Sequence, residues 1–163
     1  MKRFIRSLVV ATGAVVALSA GAAGAAVTVT FTQPESYADM PFANWDKEQV
    51  MKDLQNHFDK MGAKLPQGQD LNVEVLDIDL AGRLDYARSS MRDIRILKGG
   101  ADWPAMKLRY SIESQGKVLK SGEARVADMT YLSHFNRYPA NEPLRYEKKM
   151  LDDWFKKVMA EAP

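Results

Sequence analysis

Residues 71–83, LNVEVLDIDLAGR, change their apolar phase halfway along. Up to Val75 every second residue is apolar, as on a strand with one buried face. From Leu76 onward the apolar residues occupy the other phase, so Asp77 and Asp79 take the side that the valines held. A β-bulge exchanges the buried face of a strand in this way. A bulge near Val75 and Leu76 would thus explain the change of phase without a functional site.

The two carboxylates allow two interpretations. Side chains two residues apart on a strand project to one side about 7 Å apart. That separation suits the paired carboxylates of an inverting glycosidase, and the pair could also begin a hard-cation site. The alternative is structural, because carboxylate–guanidinium pairs are strong and arginines follow at once. We favour the structural interpretation, in which Arg83 and Arg95 pair with Asp77 and Asp79 and lower their pKa values.

Two segments are candidate contact surfaces. The first is the basic stretch from residue 83 to residue 98, which could receive an anionic ligand or form a solvated face. Its arginines are Arg83, Arg88, Arg92 and Arg95. The second is an aromatic connection, which could stack on a ligand or tuck against the core. Its members are Trp103, Tyr131, Phe135 and Tyr138.

The stretch from Met106 to Val126 predicts a β-hairpin, because two alternating segments flank Ser114-Gln115-Gly116. A three-residue loop with Gly in third place suits a type I turn followed by a bulge. The resulting register sets Ile112 beside Val118, Met106 beside Ala124, Glu113 beside Lys117 and Lys107 beside Glu123.

Helical spacing predicts two amphipathic helices. The first begins at Asp46, with Gln49 at capping-box spacing and Trp45 packing against Val50 as a hydrophobic staple, and it ends at Gly62. Its apolar face is Val50, Leu54, Phe58 and Met61. The second runs from about residue 144 to residue 159, with a broad apolar face that includes Leu151, Trp154, Phe155 and Val158.

The first residues have the order of a secretory signal peptide. A basic start is followed by an apolar stretch and by Ala23-Gly24-Ala25, a small-residue cleavage site. No Arg-Arg pair is present, which favours the general secretion pathway, and export to the periplasm without a stable membrane anchor is expected. The predicted boundaries are a leader over 1–25 and a single domain over 26–163.

Charge and composition narrow the functional classes. The chain has 23 basic and 21 acidic residues, and removing the three basic residues of the leader leaves 20 against 21, a net charge of −1. Overall charge therefore gives no argument for nucleic acid as a partner. With no cysteine and two isolated histidines, His57 and His134, neither a metal site nor a cofactor is predicted.

The fold class predicted from these elements is α+β. An early strand, VTVTFT at residues 27–32, and DIRIL at residues 93–97 add to the strands above, giving a mostly antiparallel sheet of about five strands. The two amphipathic helices are expected to cover one face of that sheet.

Several segments of the sequence resemble domain-of-unknown-function family 3016. They are DIDLAGR (77–83), RDIRILKGGADWPAMKLRYSI (92–112) and LRYEKKMLDDWF (144–155), in that order. The resemblance implies an exported bacterial protein and assigns no activity, ligand or catalytic residue.

The functional hypothesis is a non-enzymatic periplasmic domain that binds a protein or a cell-envelope component. The alternative is a small hydrolase that acts on envelope polymers through Asp77 and Asp79. Carboxylates lying in an open concave pocket and free of arginine would favour the enzyme, and carboxylates tied to arginines would favour the binding module.

Overall fold

The computed structural model describes residues 25–85 and 94–161. Its elements, in chain order, are β1 (Val27–Phe31), a 3₁₀ turn (Pro34–Ser36), α1 (Asn44–Gly62), β2 (Gln69–Asp79), β3 (Arg83–Leu84), β4 (Arg95–Ile96), β5 (Ala105–Ser114), β6 (Lys117–Ala127) and α2 (Arg145–Ala160). This confirms the α+β class. None of the helices in the described part of the chain is long and apolar enough to cross a membrane.

The main sheet has four strands in the order β1-β2-β5-β6, and β3 pairs with β4 in a separate two-stranded ribbon. The strand count is therefore slightly lower than the predicted five in one sheet. The pairs β2–β5 and β5–β6 are antiparallel, whereas β1 and β2 are parallel. Parallel neighbours need a crossover connection, and α1 supplies it.

The predicted bulge in β2 is confirmed. The pairing of β2 with β5 shifts between Val75 and Asp77, so that Val75 lies opposite Leu108 and Asp77 lies opposite Lys107. Val75 and Ile78 are both fully buried although they are three positions apart, an odd spacing that would place them on opposite faces of a regular strand. The extra residue therefore keeps the apolar side chains of β2 on one face along its whole length.

Both helices pack on one face of the main sheet, which we call the inner face. The buried cluster joins Leu54, Phe58 and Met61 of α1 and Leu151, Trp154 and Phe155 of α2 to the apolar residues of the strands. The apolar faces predicted for both helices are thus confirmed. The opposite side of the sheet, which we call the open face, carries the polar residues of the same strands.

The predicted start of α1 is wrong. The helix begins at Asn44 after Ala43, and no side chain caps it. Gln49 donates instead to Asp53 on the next turn (3.1 Å). The side chain of Trp45 is 76% exposed, so it does not pack as a staple.

The predicted end of α1 at Gly62 is confirmed, but the glycine has a different role from the predicted helix-terminating one. It is the last helical residue, it is buried, and it does not have the positive φ of a helix-terminating glycine. A Cβ atom at this position would lie 1.9 Å from Cγ2 of Val27. The glycine therefore allows the end of α1 to approach β1 closely.

The predicted hairpin register is wrong. Ser114 pairs with Lys117, and the loop has two residues, Gln115 (φ 50°) and Gly116 (φ 75°), as a type I′ turn requires. A register shift next to Ile112 then leaves Leu119 as an extra residue of β6. As a result Leu108 lies opposite Ala124, and apolar residues still meet on the inner face.

Candidate functional site

A cavity of about 490 Å³ lies on the open face of the main sheet, and we call it the open-face groove. All four strands line it, because the residues that alternate with the buried ones project to this side. Its polar side chains are Thr28, Thr30, Asn72, Glu74, Arg109, Ser111, Ser121 and Glu123. The groove is the default candidate binding site, since it is concave and carries convergent polar groups.

A row of alternating charges crosses the groove. Arg109 on β5 lies between two carboxylates, with Nη1 2.5 Å from Glu74 Oε2 and Nη2 3.5 Å from Glu123 Oε2. The ammonium of Lys107 lies 2.9 Å from the other oxygen of Glu123. The hydrogen bond from Lys107, followed by its charge, lowers the pKa of the Glu123 carboxyl below its ordinary value. Glu123 is therefore a carboxylate at neutral pH.

The predicted contact between Lys107 and Glu123 thus exists, although the two residues are diagonal neighbours. Lys107 lies directly opposite Arg125, and Arg109 lies directly opposite Glu123. Long side chains reach a diagonal partner across an antiparallel pair.

Uncharged side chains in the groove are also held by hydrogen bonds. Asn72 Nδ2 donates to Glu113 Oε1 (3.0 Å), and the Ser111 hydroxyl donates to the same oxygen (2.8 Å). Thr32, which is not one of the lining residues, donates from Oγ1 to Glu74 Oε1 (2.9 Å) and so holds that lining carboxylate. A ligand would therefore meet groups whose positions are fixed before it binds.

Asp77 and Asp79 lie on the open face beyond the bulge, and Asp77 is held by a backbone group. The N–H of Ala38 donates to Asp77 Oδ1 (2.8 Å). In residues 25–85 and 94–161, neither carboxylate forms an ion pair with an arginine. The predicted pairing with Arg83 and Arg95 is therefore wrong within this part of the chain.

The pKa of Asp79 departs from its ordinary value in the direction opposite to the predicted one. Burial raises it most, and the nearby carboxylates of Asp39 and Asp77 raise it further. The charges of Arg95 and Arg125 act in the lowering direction and do not outweigh them. Asp79 is held near like charges.

Arg95 pairs instead with Asp39, which lies beside the end of β2. Its guanidinium also donates to three backbone carbonyls, of Leu80 (2.9 Å), Ala81 (2.8 Å) and Gly82 (2.7 Å). These bonds anchor the β3–β4 ribbon to the sheet. Arg95 is thus occupied within the protein and has little left to offer a ligand.

The other predicted arginines are placed differently. Arg83 is exposed on β3. Arg88 and Arg92 lie outside the described residues.

The predicted aromatic residues do not form one platform. Tyr131 is buried, edge-on to Tyr146 with ring centroids 4.9 Å apart. The Tyr138 hydroxyl donates to Asp152 Oδ2 (2.6 Å), and Trp103 is half-buried. Phe135 is 88% exposed. Tyr131 and Tyr138 therefore support the connection between β6 and α2, and only Phe135 faces solvent fully.

Sequence reasoning missed a charged cluster between the two helices. His57 of α1 and Asp152 of α2 are both buried, with Nε2 and Oδ1 3.4 Å apart. Arg137 and Tyr138 bind the other oxygen of Asp152, and Lys64 lies 3.7 Å from Oδ1. Burial alone would raise the pKa of Asp152, but His57, Tyr138 and Arg137 outweigh it and lower the pKa well below its ordinary value.

The signal for this cluster was present in the sequence. At helical spacing Asp152 lies at the border of the apolar face of α2, next to Leu151 and Phe155, whereas Asp153 lies on the opposite side of the helix. In the described part of the chain, no group of three or more His, Cys, Asp or Glu residues is arranged to hold a metal ion. The cluster is an interhelical contact.

The fold and the groove together define a small α+β domain with two helices on one face of its sheet and a polar groove on the other. The chain belongs to the family described as Protein of unknown function (DUF3016), whose model matches residues 25–157. No curated protein and no solved structure matches the chain.

Proposed function

We propose that the chain is a non-enzymatic, exported module that binds an extended segment of another cell-envelope protein in the open-face groove. The observation that carries the proposal is the groove itself, in which four strands present fixed hydrogen-bonding and charged groups. Its ligand is therefore expected to be polar along its length, as a peptide backbone is.

The chemistry of the groove favours a polypeptide over a sugar polymer. The polar side chains that line it offer hydroxyl, amide, carboxylate and guanidinium groups. Tyr110 is the one aromatic residue among the lining residues of the groove, and its ring packs edge-on against Trp154, with centroids 5.2 Å apart. The groove therefore offers no free ring face on which a sugar could stack.

Periplasmic location is the second part of the proposal. It rests on the basic start, the apolar stretch and the cleavage pattern within residues 1–25. It predicts a mature chain that begins near Ala26 and is found in the periplasmic fraction. Intact-mass measurement of a form that retains Met1 on the membrane would contradict it.

The contacts of Asp77 and Asp79 do not support the hydrolase. A glycosidase pair needs two carboxylates that face a substrate and differ in their role as acid and base. Asp77 accepts a backbone hydrogen bond from Ala38, and neither residue lines the open-face groove. In the described part of the chain, no observation favours the hydrolase.

Photo-crosslinking in cells tests the binding site. A crosslinking residue placed at Thr30 or at Ser111, both in the groove, is expected to capture the same protein. The same residue at Asn56, exposed on α1, is the matched control. Equal capture at all three positions, or none at Thr30 and Ser111, would contradict the proposal.

The captured protein then allows a direct measurement of affinity. Arg109→Glu reverses the charge in the centre of the groove and is expected to weaken binding by about tenfold or more. Lys52→Glu, an exposed change on α1, is expected to leave the affinity unchanged. If both variants bound as tightly as the original protein, the groove would not be the binding site.

A further inference from the structure

β6 is an edge strand of eleven residues, Lys117–Ala127. Among the described residues, no strand pairs with its outer side. An uncovered edge presents a row of backbone donors and acceptors that can pair with another strand. A strand of this length is long enough to template such a pairing.

The two halves of β6 are protected differently. Residues 117–120 carry two lysines and the extra residue Leu119, both of which discourage pairing at an edge. Residues 121–127, SGEARVA, contain no lysine, no proline and no register shift. The second half is therefore the part of the edge that remains open to another strand.

Space beside this second half is also available on the inner side. A cavity of about 390 Å³ separates the edge of β6 from α2 and is lined by Val126 together with Met150 and Lys157. The inward positions of the segment are small, namely Gly122, Ala124 and Val126. Small side chains and an adjacent cavity thus leave space between this segment and α2.

Charge selects one antiparallel alignment of the segment with a copy of itself. Centred on Ala124, it sets Glu123 opposite Arg125 of the second copy and repeats that pair by symmetry. Alignments centred on Glu123 or on Arg125 set like charges opposite each other. An alignment centred on Gly122 forms no charge pair. An alignment centred between two residues would place inner-face side chains of one copy opposite open-face side chains of the other.

We propose that residues 121–127 of β6 pair with the same residues of a second copy, forming a two-fold dimer with one continuous sheet. Glu123 lines the open-face groove, so Arg125 of the second copy would extend the charge row of the groove. The two grooves would then lie side by side on one surface. This proposal does not depend on which ligand the groove binds.

Sedimentation velocity over about 1–100 μM protein, purified after expression of the full chain, tests the dimer. The original protein is expected to dimerise. Glu123→Arg and Arg125→Glu are each expected to weaken association by about tenfold or more, because like charges then face each other. The double variant restores the opposite charges and is expected to recover dimerisation.

Two controls separate association from folding. Lys117→Glu reverses a charge on the same strand outside the paired segment and is expected to leave the dimer intact. Glu123→Arg also loses the contact with Lys107, which lies directly opposite position 125, so circular dichroism of every variant at the same concentrations checks that loss of the dimer is not loss of the fold. A monomer at every concentration, unaffected single variants, or a double variant that stays monomeric would each overturn the proposal.

Discussion

The two faces of the main sheet use the same strands in different ways. On the inner face, fully buried side chains such as Leu71, Val75 and Leu108 pack against both helices. On the open face, half-exposed side chains are joined by ion pairs and hydrogen bonds, as Arg109 is joined to Glu74. Burial of apolar area supplies most of the stability of a domain, whereas exposed charge pairs supply little and chiefly fix geometry.

This difference ranks the expected effects of substitutions. Changes on the inner face should cost several kcal/mol, and changes on the open face should cost less than about 1 kcal/mol. A large loss of stability on the open face, or a small one on the inner face, would break the comparison.

The largest effect is expected at Trp154. Its side chain is 8% exposed and packs edge-on against Tyr110 from the sheet. Trp154→Ala is expected to lower the free energy of unfolding by about 3–5 kcal/mol. Trp45→Ala is the matched control, because Trp45 is 76% exposed, and a change within about 0.5 kcal/mol is expected. Urea denaturation of both variants measures the two values, and similar losses would contradict the assigned burial.

The next effect concerns the charged cluster between the two helices. Asp152→Asn removes a carboxylate that is buried against His57 and bound by Arg137 and Tyr138. Hydrogen bonds to a charged group contribute about 1.5–3 kcal/mol, so a loss of that size is expected at pH 7. Chemical denaturation measures it.

The loss at Asp152 should depend on pH. The folded pKa of this carboxyl is below its ordinary value of 3.8, so its contribution is present above that value and fades as the pH falls through the folded pKa. The difference between Asp152→Asn and the original protein is therefore expected to shrink below about pH 4. Asp153→Asn, at the half-exposed neighbour, is the control, and a loss below about 1 kcal/mol is expected. A difference that stayed constant in acid would rule out this assignment.

A third effect tests the contact between α1 and β1. Gly62→Ala places a Cβ atom against Val27, and overpacking of this kind costs about 1–3 kcal/mol. Combining it with Val27→Ala is expected to recover part of the loss. Gly100→Ala is the control, since nothing lies within 4 Å of a Cβ atom at Gly100. Thermal unfolding of the original protein, the two single variants and the double variant measures these changes in stability. If Gly62→Ala did not change the stability, α1 would be able to move away from β1.

The inner face was largely predictable from the sequence because buried apolar residues recur at the spacing of a helix or of a strand. Leu54, Phe58 and Met61 repeat at helical spacing, Leu71, Val73 and Val75 repeat at strand spacing, and all six are buried. The change of phase after Val75 also predicted the bulge. Periodicity records which residues face the core.

The open face was not predictable to the same degree, because it depends on register. The two-residue turn and the extra residue Leu119 change which residues of β5 and β6 lie opposite each other, compared with the predicted register. The alternation of apolar and polar residues does not reveal that β6 contains an extra residue. Partners distant in the chain are equally hidden, since Asp39 binds Arg95 across a separation that no local pattern records. The groove and its charge row therefore emerge only from the assembled sheet.

The smallest effect returns to the segment beyond the bulge. Because the folded pKa of Asp79 is raised above its ordinary value of 3.8, its neutral form favours the folded state. That contribution is complete below the ordinary value and is lost as the pH rises through the folded pKa. An asparagine is neutral at every pH. Asp79→Asn is therefore expected to gain stability relative to the original protein as the pH rises towards 7, by less than about 1 kcal/mol.

Thermal denaturation of Asp79→Asn and the original protein across pH 3–7 measures this trend, and Asp59→Asn on the exposed side of α1 shows what loss of a surface carboxylate does by itself. If Asp79→Asn instead lost stability as the pH rose, attraction to Arg95 and Arg125 would dominate, and of these two arginines Arg95 is the one that the sequence predicts. Stabilisation of the original protein alone by calcium would reopen the cation-site interpretation, because a carboxylate among like charges gains most from a bound cation. A small gain in stability that calcium does not change would mean that the bulge sets the position of Asp79. The bulge keeps the apolar side chains of β2 on the inner face, and as a consequence it holds Asp79 near Asp39 and Asp77.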